Sequence, residues 1–226
     1  MSALVRMRLA GFVRGGRILP PAIAVLVVLG IIYGGGASPA SVAYGYSAAA
    51  LFPVLAWQSK LLLDTEPDVQ RRLARVAVGA PAEAVAGLAA AGVLALIVCA
   101  LAMGAPWLFQ GIDTGKPVLS GVLLGTLAHL LAIPAAVAVG ALASRSVTRG
   151  TRNGVAVLVV AAVLVVVLGL RGSFAPWLVP PVMATARALN DVDPPPAATL
   201  ALLTGWAAVW CTVALAVYAH LRRSRS

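Results

Sequence analysis

The chain has 226 residues, of which 61% are hydrophobic and only 11% are charged. An average soluble domain is about 25% charged, so a soluble fold of this size could not cover so much apolar surface. The formal net charge of +10 does not indicate a nucleic-acid binder, because the basic residues lie in short segments between apolar runs. The composition therefore predicts an all-α, polytopic membrane protein and argues against a soluble enzyme.

The first part of the chain predicts a basic amphipathic segment over residues 1–17 and then two spans. No charged residue occurs from Ile18 to Ser59, and a spanning helix needs roughly 20 apolar residues. The Gly-Gly-Gly-Ala-Ser-Pro cluster at 34–39 predicts a turn, which places the spans at about 19–34 and 42–58. A cleaved signal peptide would show a similar start, but the second apolar span that follows at once favours an uncleaved first helix.

Four later charge-free stretches predict spans at about 82–103, 118–142, 153–170 and 198–219. Residues 18–226 are thus expected to form a six-helix transmembrane domain. The fifth stretch is almost entirely Val, Ala and Leu. In lipid only a helix or a closed barrel satisfies the backbone, and no alternating barrel pattern is present.

The basic residues predict the orientation. Of the 17 Lys and Arg residues, 14 fall in segments that six spans would place on one side of the membrane, and only Lys116, Arg171 and Arg187 fall on the other. Basic loops face the cytoplasm. We therefore expect both termini to be cytoplasmic and the protein to lie in the cytoplasmic membrane.

The segment after the second span predicts a short amphipathic helix. Thr65 and Asp68 fit an N-cap pattern with Pro67 in the first turn, and Gly79 with Pro81 should end the helix. Four apolar residues fall on one face and three arginines on the other. These two sets are Val69, Leu73, Val76 and Ala77, and Arg71, Arg72 and Arg75. Such a helix could lie on anionic lipid or dock a cytoplasmic partner.

This layout resembles the ABC-2 type exporter permeases. The resemblance rests on the amphipathic N-terminal segment, six spans, a helix between spans two and three, and a short helical pattern at 182–190 behind Trp177 before the last span. The family's usual Gly-Thr is replaced here by Pro67-Asp68. The resemblance implies a cytoplasmic ABC ATPase as partner, a second permease subunit in a homo- or heterodimer, and export. The docking residues it implies are Glu66, Asp68, Val69, Arg71, Arg72, Leu73, Arg75 and Val76.

No catalytic residue, cofactor or metal site is expected in this chain. The segment from Gly111 to Pro117 imitates a P-loop but is one residue short, and Pro117 replaces the Ser or Thr. Cys99 and Cys211 lie in apolar runs and indicate no disulfide. We therefore expect ATP to be hydrolysed in a separate subunit.

His129, near the middle of span four, is the one ionisable residue expected deep in the membrane, and such residues face the bundle interior or a cavity. It is either a structural histidine bonded to a neighbouring helix or a residue of the transport pathway. An ion- or proton-coupled carrier or channel centred on His129 is the alternative function. A non-transporting scaffold or immunity protein is another. The sequence does not reveal the substrate.

Overall fold

The computed structural model describes residues 2–115, 117–191 and 194–224, and within them the chain is helical with no strand. The α-helices are α1 (Ser2–Arg14), α2 (Leu19–Tyr33), α3 (Ala40–Leu63), α4 (Asp68–Val78), α5 (Ala80–Leu108), α6 (Val118–Leu142), α7 (Arg145–Thr148), α8 (Thr151–Leu168), α9 (Val182–Asn190) and α10 (Ala197–Ser224). A short 3-10 turn, Pro176–Leu178, precedes α9.

Five of these helices are long and apolar enough to cross a membrane: α3, α5, α6 with its continuation α7, α8 and α10. A sixth crossing exists if α1 and α2, which meet at an angle of 78°, are counted as one broken span. The helix α2 has 15 residues and rises roughly 22 Å, less than the ~30 Å of a hydrocarbon core. The prediction of an all-α, multi-pass membrane protein is confirmed, with five to six spans.

The predicted N-cap at Thr65 is wrong. Helix α4 begins at Asp68 behind Pro67, and no side chain caps it. Thr65 instead donates its hydroxyl hydrogen bond to the carbonyl of Leu61 in the last turn of α3, 2.9 Å away. A threonine can bond the carbonyl four residues before it as readily as a following amide, and α3 extends to Leu63, beyond the predicted end at 58. The predicted stop at Gly79 is confirmed, with φ at 84°.

Helices α3 and α6 form the centre of the bundle and run side by side in the same direction. The backbone of Gly121 lies against Ala40 near their starts, and that of Gly140 lies against Ala56 and Ser59 near their ends. A Cβ at either glycine would overlap α3. In lipid the hydrophobic effect does not drive helices together, so their association depends on close packing. Small residues allow the helix backbones to approach closely. The glycine face of α6 is therefore used within the chain.

The bundle has two unlike ends. One carries α1, α4, α7, the last turns of α3 and α10 and the first turns of α5 and α8, and we call it the basic end. The other carries the loops, where Ser38 and Ile112 form an isolated bridge and α9 packs on α3 with Leu189 against Gly45. The structure thus places α1, α4 and α7, with their arginines, at one end of the bundle.

Candidate functional site

A buried carboxylate, Glu83, is the centre of the basic end. It lies in the first turn of α5 and is only 1% exposed. One of its oxygens accepts a hydrogen bond from Arg8 of α1 at 2.5 Å. The other accepts from Arg222 of α10 and, at 3.5 Å, from Arg75 of α4. One acid therefore joins α1, α4, α5 and α10.

Arg8 connects this acid to the segment between α3 and α4. Its Nε and Nη2 donate to both carboxylate oxygens of Glu66 at 2.9 and 2.7 Å, a bidentate geometry that fixes the planar guanidinium. Its Nη1 donates to the backbone carbonyl of Glu83 at 3.2 Å. Arg8 and Glu66 are both buried. The pairing holds α1 against the chain directly before α4.

The local sequence makes room for Arg8. Val5, Leu9 and Phe12 pack into the core beside it, so Arg8 occupies the inward face of α1 without breaking its helical spacing. Gly87 lies one turn after Glu83, and a Cβ there would collide with the Arg8 guanidinium. A buried charge must be paired and hydrogen-bonded. Arg8 can therefore lie on an otherwise apolar helix face because two carboxylates and a backbone carbonyl accept hydrogen bonds from its guanidinium.

A second buried group surrounds Asp64 at the end of α3. Its carboxylate accepts from Lys60 Nζ at 2.7 Å and from the backbone amide of Arg145 at 2.8 Å. Its backbone carbonyl accepts from Arg145 Nη2 at 2.7 Å and from Arg17 Nη1 at 2.9 Å. Asp64 therefore fixes the start of α7 and the segment before α2 to α3. Asp64 and Glu66, the two acids of the segment between α3 and α4, thus both hold neighbouring helices.

Helix α4 turns its apolar residues away from the bundle. Val69, Leu73 and Val76 are 68%, 64% and 88% exposed, and the structure buries no residue of α4. Arg71 and Arg75 face inward, Arg71 pairing with Asp68 at 2.5 Å and Arg75 with Glu83. The predicted docking residues thus form an outward apolar strip and an inward basic face, with Arg72 exposed between them.

His129 is buried between α6 and α3, 2% exposed. Its Nδ1 lies 2.8 Å from the carbonyl of Gly125, and its Nε2 lies 3.3 Å from the hydroxyl of Ser47. An Nδ1–H donating to the carbonyl leaves Nε2 as an acceptor that faces the Ser47 hydroxyl, whose one hydrogen is shared between Nε2 and the carbonyl of Tyr44, 3.1 Å away. The ring also meets Tyr44 edge to face at 6.3 Å between centroids. Both ring nitrogens have a polar partner within hydrogen-bond distance, which is the arrangement of a structural histidine.

One apolar groove contains a single buried amide. The groove, of about 720 Å³, lies between α2 and α5 and is lined by residues such as Val25, Leu29, Leu94 and Val98. Gln58 of α3 also lines it, and its Nε2 is buried and makes no hydrogen bond to any described residue. An unpaired buried amide is costly. Gln58 was not singled out in the sequence, where its only signal is a polar residue near the end of an apolar run.

The buried ion-pair network yields a stability prediction. Glu83→Gln should lower the free energy of unfolding by about 3–5 kcal/mol, because removing one partner leaves buried arginine charge uncompensated. Asp68→Asn is the matched control. Its pair with Arg71 lies at the surface, and such pairs contribute about 1 kcal/mol or less. The measurement is the midpoint of thermal unfolding of each variant in detergent, and equal shifts for the two variants would contradict the network's role.

A second prediction concerns His129. His129→Ala and Ser47→Ala should each destabilise the protein by about 1–3 kcal/mol, because each leaves a buried polar group unpaired. Thr126→Ala is the control, since its exposed hydroxyl bonds only Val122 of the same helix. Thermal unfolding in detergent measures all three. A pH-gradient-driven proton flux in liposomes that His129→Ala abolishes, with no loss of stability, would favour the carrier function instead.

Comparison with known proteins does not place the chain in a family. No family model matches it, and no curated protein or solved structure shows a significant match. What the protein does has therefore to be inferred from its own residues.

Proposed function

We propose that this chain is the membrane-spanning permease subunit of an ABC exporter. In this proposal the basic end faces the cytoplasm, both termini lie there, and a separate ABC ATPase binds to α4. Two permease subunits, identical or different, enclose the pathway. Each ATPase moves the helices through α4, and the substrate leaves across the cytoplasmic membrane.

The observation that carries the proposal is the combination of an exposed apolar strip on α4 with buried attachments behind it. Val69, Leu73 and Val76 point away from the bundle and are exposed. A partner that covered them would remove their apolar surface from water. An apolar helix face presented to a partner's groove is a common mode of protein recognition. The arrangement suits a helix that receives force from another protein.

The attachments offer a route for that force. Only Gly79 separates α4 from the first residue of α5, and Arg75 of α4 contacts Glu83 of α5. Glu83 in turn holds Arg8 and Arg222. A displacement of α4 would therefore be passed to α1, α5 and α10 through charged contacts that are costly to break.

The orientation is supported by the distribution of basic residues. Thirteen of the 15 Lys and Arg residues that the structure describes belong to segments at the basic end, and membrane proteins retain such loops in the cytoplasm. The ATPase and its nucleotide are cytoplasmic in this scheme, so α4 is on the side where the partner would be found.

The groove that contains Gln58 is the best candidate for part of the substrate pathway. It is apolar with one unpaired amide, and ligand sites combine mostly apolar walls with a few polar groups. Lipids, hydrophobic drugs and apolar peptides all fit that chemistry. The carrier function is less well supported, because both nitrogens of His129 already have partners, and no specific contact favours a scaffold or immunity protein.

The test is Leu73→Asp, which places a charge in the centre of the exposed strip. It should reduce ATPase binding in mild detergent at least tenfold and uncouple ATP hydrolysis from export. Insertion should be unchanged, because the spans are apolar enough to insert without α4. Gln70→Asp is the matched control, since it adds the same charge to an exposed polar position of the same helix.

The outcomes separate two interpretations of α4. Loss of ATPase binding in Leu73→Asp alone supports the docking helix. Normal binding and normal coupled export in Leu73→Asp would make α4 an interfacial anchor and remove the main support for an exporter. Export by the purified chain in liposomes without any ATPase would contradict the proposal altogether.

A further inference from the structure

A pocket at the basic end is lined mainly by arginines from three separate helices. Its volume is about 360 Å³, and it lies where α4, α7 and the end of α10 meet. The lining residues are Asp68, Arg71, Arg72, Arg75, Arg145, Ser146, Arg149 and Arg222. Six guanidinium groups thus border one cavity with a single carboxylate among them.

The carboxylates near this pocket do not balance its charge. Asp64, Glu66, Asp68 and Glu83 are the acids in the ion pairs of this end. The cations of these ion pairs and of the pocket are the six pocket arginines with Arg8 and Lys60. Eight cations against four acids leave a surplus of four positive charges. The other described acids, Asp113 and Asp191, lie in the loops of the other end.

The pocket arginines divide into two groups. Arg71, Arg75, Arg145 and Arg222 are each held by a carboxylate of the chain. Arg72 and Arg149 form no ion pair with a described residue. Four arginines are thus positioned in advance by internal acids, while two remain available. This is a preorganised site for an anion, and the arginine fork matches phosphate oxygens.

An apolar groove adjoins the pocket. It has a volume of about 260 Å³, lies between the first turns of α5 and the last turns of α10, and includes Val85, Leu88 and Leu215. Arg75 and Arg222 line both the groove and the pocket. A basic pocket and an apolar groove that share a border match a molecule with an anionic head and a hydrocarbon tail.

We infer that this pair of cavities binds one anionic phospholipid, with its phosphate among the arginines of α4, α7 and α10 and an acyl chain along the groove between α5 and α10. Basic pockets at the ends of transmembrane helices can bind lipid headgroups in this way. A free phosphate would use the pocket but leave the groove unfilled. An acidic peptide of a partner would likewise need no apolar groove. The bound lipid would tie α4 to α7 and α10, and this site does not depend on the presence of an ATPase.

The experiment measures lipid binding to the full-length chain in detergent by native mass spectrometry. The probes are dioleoylphosphatidylglycerol, dioleoylphosphatidylcholine and inorganic phosphate. The parent protein should bind the anionic lipid at least tenfold more tightly than the zwitterionic one. Arg72→Gln/Arg149→Gln should weaken that binding by roughly 10- to 30-fold, since each arginine near a lipid surface contributes roughly three- to fivefold.

Two controls identify the site. Arg6→Gln/Arg14→Gln removes the same charge from exposed positions on α1, outside the pocket, and should change anionic-lipid binding by less than about threefold if the pocket matters more than net charge. Ala219→Trp fills the groove. It should weaken binding of the anionic lipid and leave binding of inorganic phosphate unchanged. Because Arg72 and Arg149 lie outside the buried ion pairs, their replacement should leave the unfolding midpoint unchanged, which separates loss of binding from loss of folding.

Several results would overturn the inference. Equal losses in the pocket and α1 double variants would mean non-specific attraction between charges. The pocket would be a site for free phosphate if two results are found together: Ala219→Trp leaves phosphate binding intact, and the parent protein shows no preference for the anionic lipid. Binding of a polyglutamate peptide but not of phosphatidylglycerol would assign the pocket to an acidic protein segment.

Discussion

A buried carboxylate surrounded by arginines is the constraint on which the basic end depends. In a medium of low dielectric constant an unpaired charge is far more costly than in water. Glu83 therefore requires its partners, and Arg8 and Arg222 require Glu83 in turn. Because these residues come from α1, α5 and α10, the two ends of the described chain and the middle of the sequence must meet at one place. Arg75 adds α4 to the same point.

This constraint determines which faces of α4 are polar and which are apolar. The helix is polar on the side that faces the bundle and apolar on the side that faces away, the reverse of an ordinary surface helix. Its inward Arg75 meets the buried Glu83, and Arg71 pairs with Asp68 at the surface, whereas the described residues leave Val69, Leu73 and Val76 largely exposed. The same geometry supports both proposals, since the outward strip offers a surface for a protein and the inward arginines border a pocket for an anion.

Five of the predicted spans match helices that are long and apolar enough to cross a membrane. They could be predicted because the absence of charge over about 20 residues is a direct consequence of bilayer thickness. The breaker at 34–39 and the stop at Gly79 could also be predicted, since local backbone preferences determine them. The partners of Asp64, Glu66 and Arg8 could not. Each lies in a segment that looks like a helix end or an amphipathic face, and each has a partner on another element that is 58 to 81 residues distant. Spacing within one helix carries no information on such pairs.

The same limit explains two further differences. The threonine before α4 has two possible partners, and only the length of α3 decides that Thr65 bonds backwards to Leu61. The glycine pairs at 30 and 34 and at 121 and 125 look alike in the sequence. The structure separates them, because a Cβ at Gly125 would overlap Tyr44 of α3, while a Cβ at Gly30 would meet no atom of another described helix within 4 Å. Helix-to-helix contact depends on which faces meet, and that is a property of the whole bundle.

The most direct test of this account is the accessibility of position 73 in native membranes. Leu73→Cys can be labelled with a membrane-impermeant maleimide, because both native cysteines, Cys99 and Cys211, are buried. The account predicts no labelling in intact cells, weak labelling in inverted vesicles, and strong labelling once peripheral proteins are stripped from those vesicles. Labelling from the outside of intact cells, or equal labelling before and after stripping, would contradict a cytoplasmic helix whose apolar strip is covered by a partner protein.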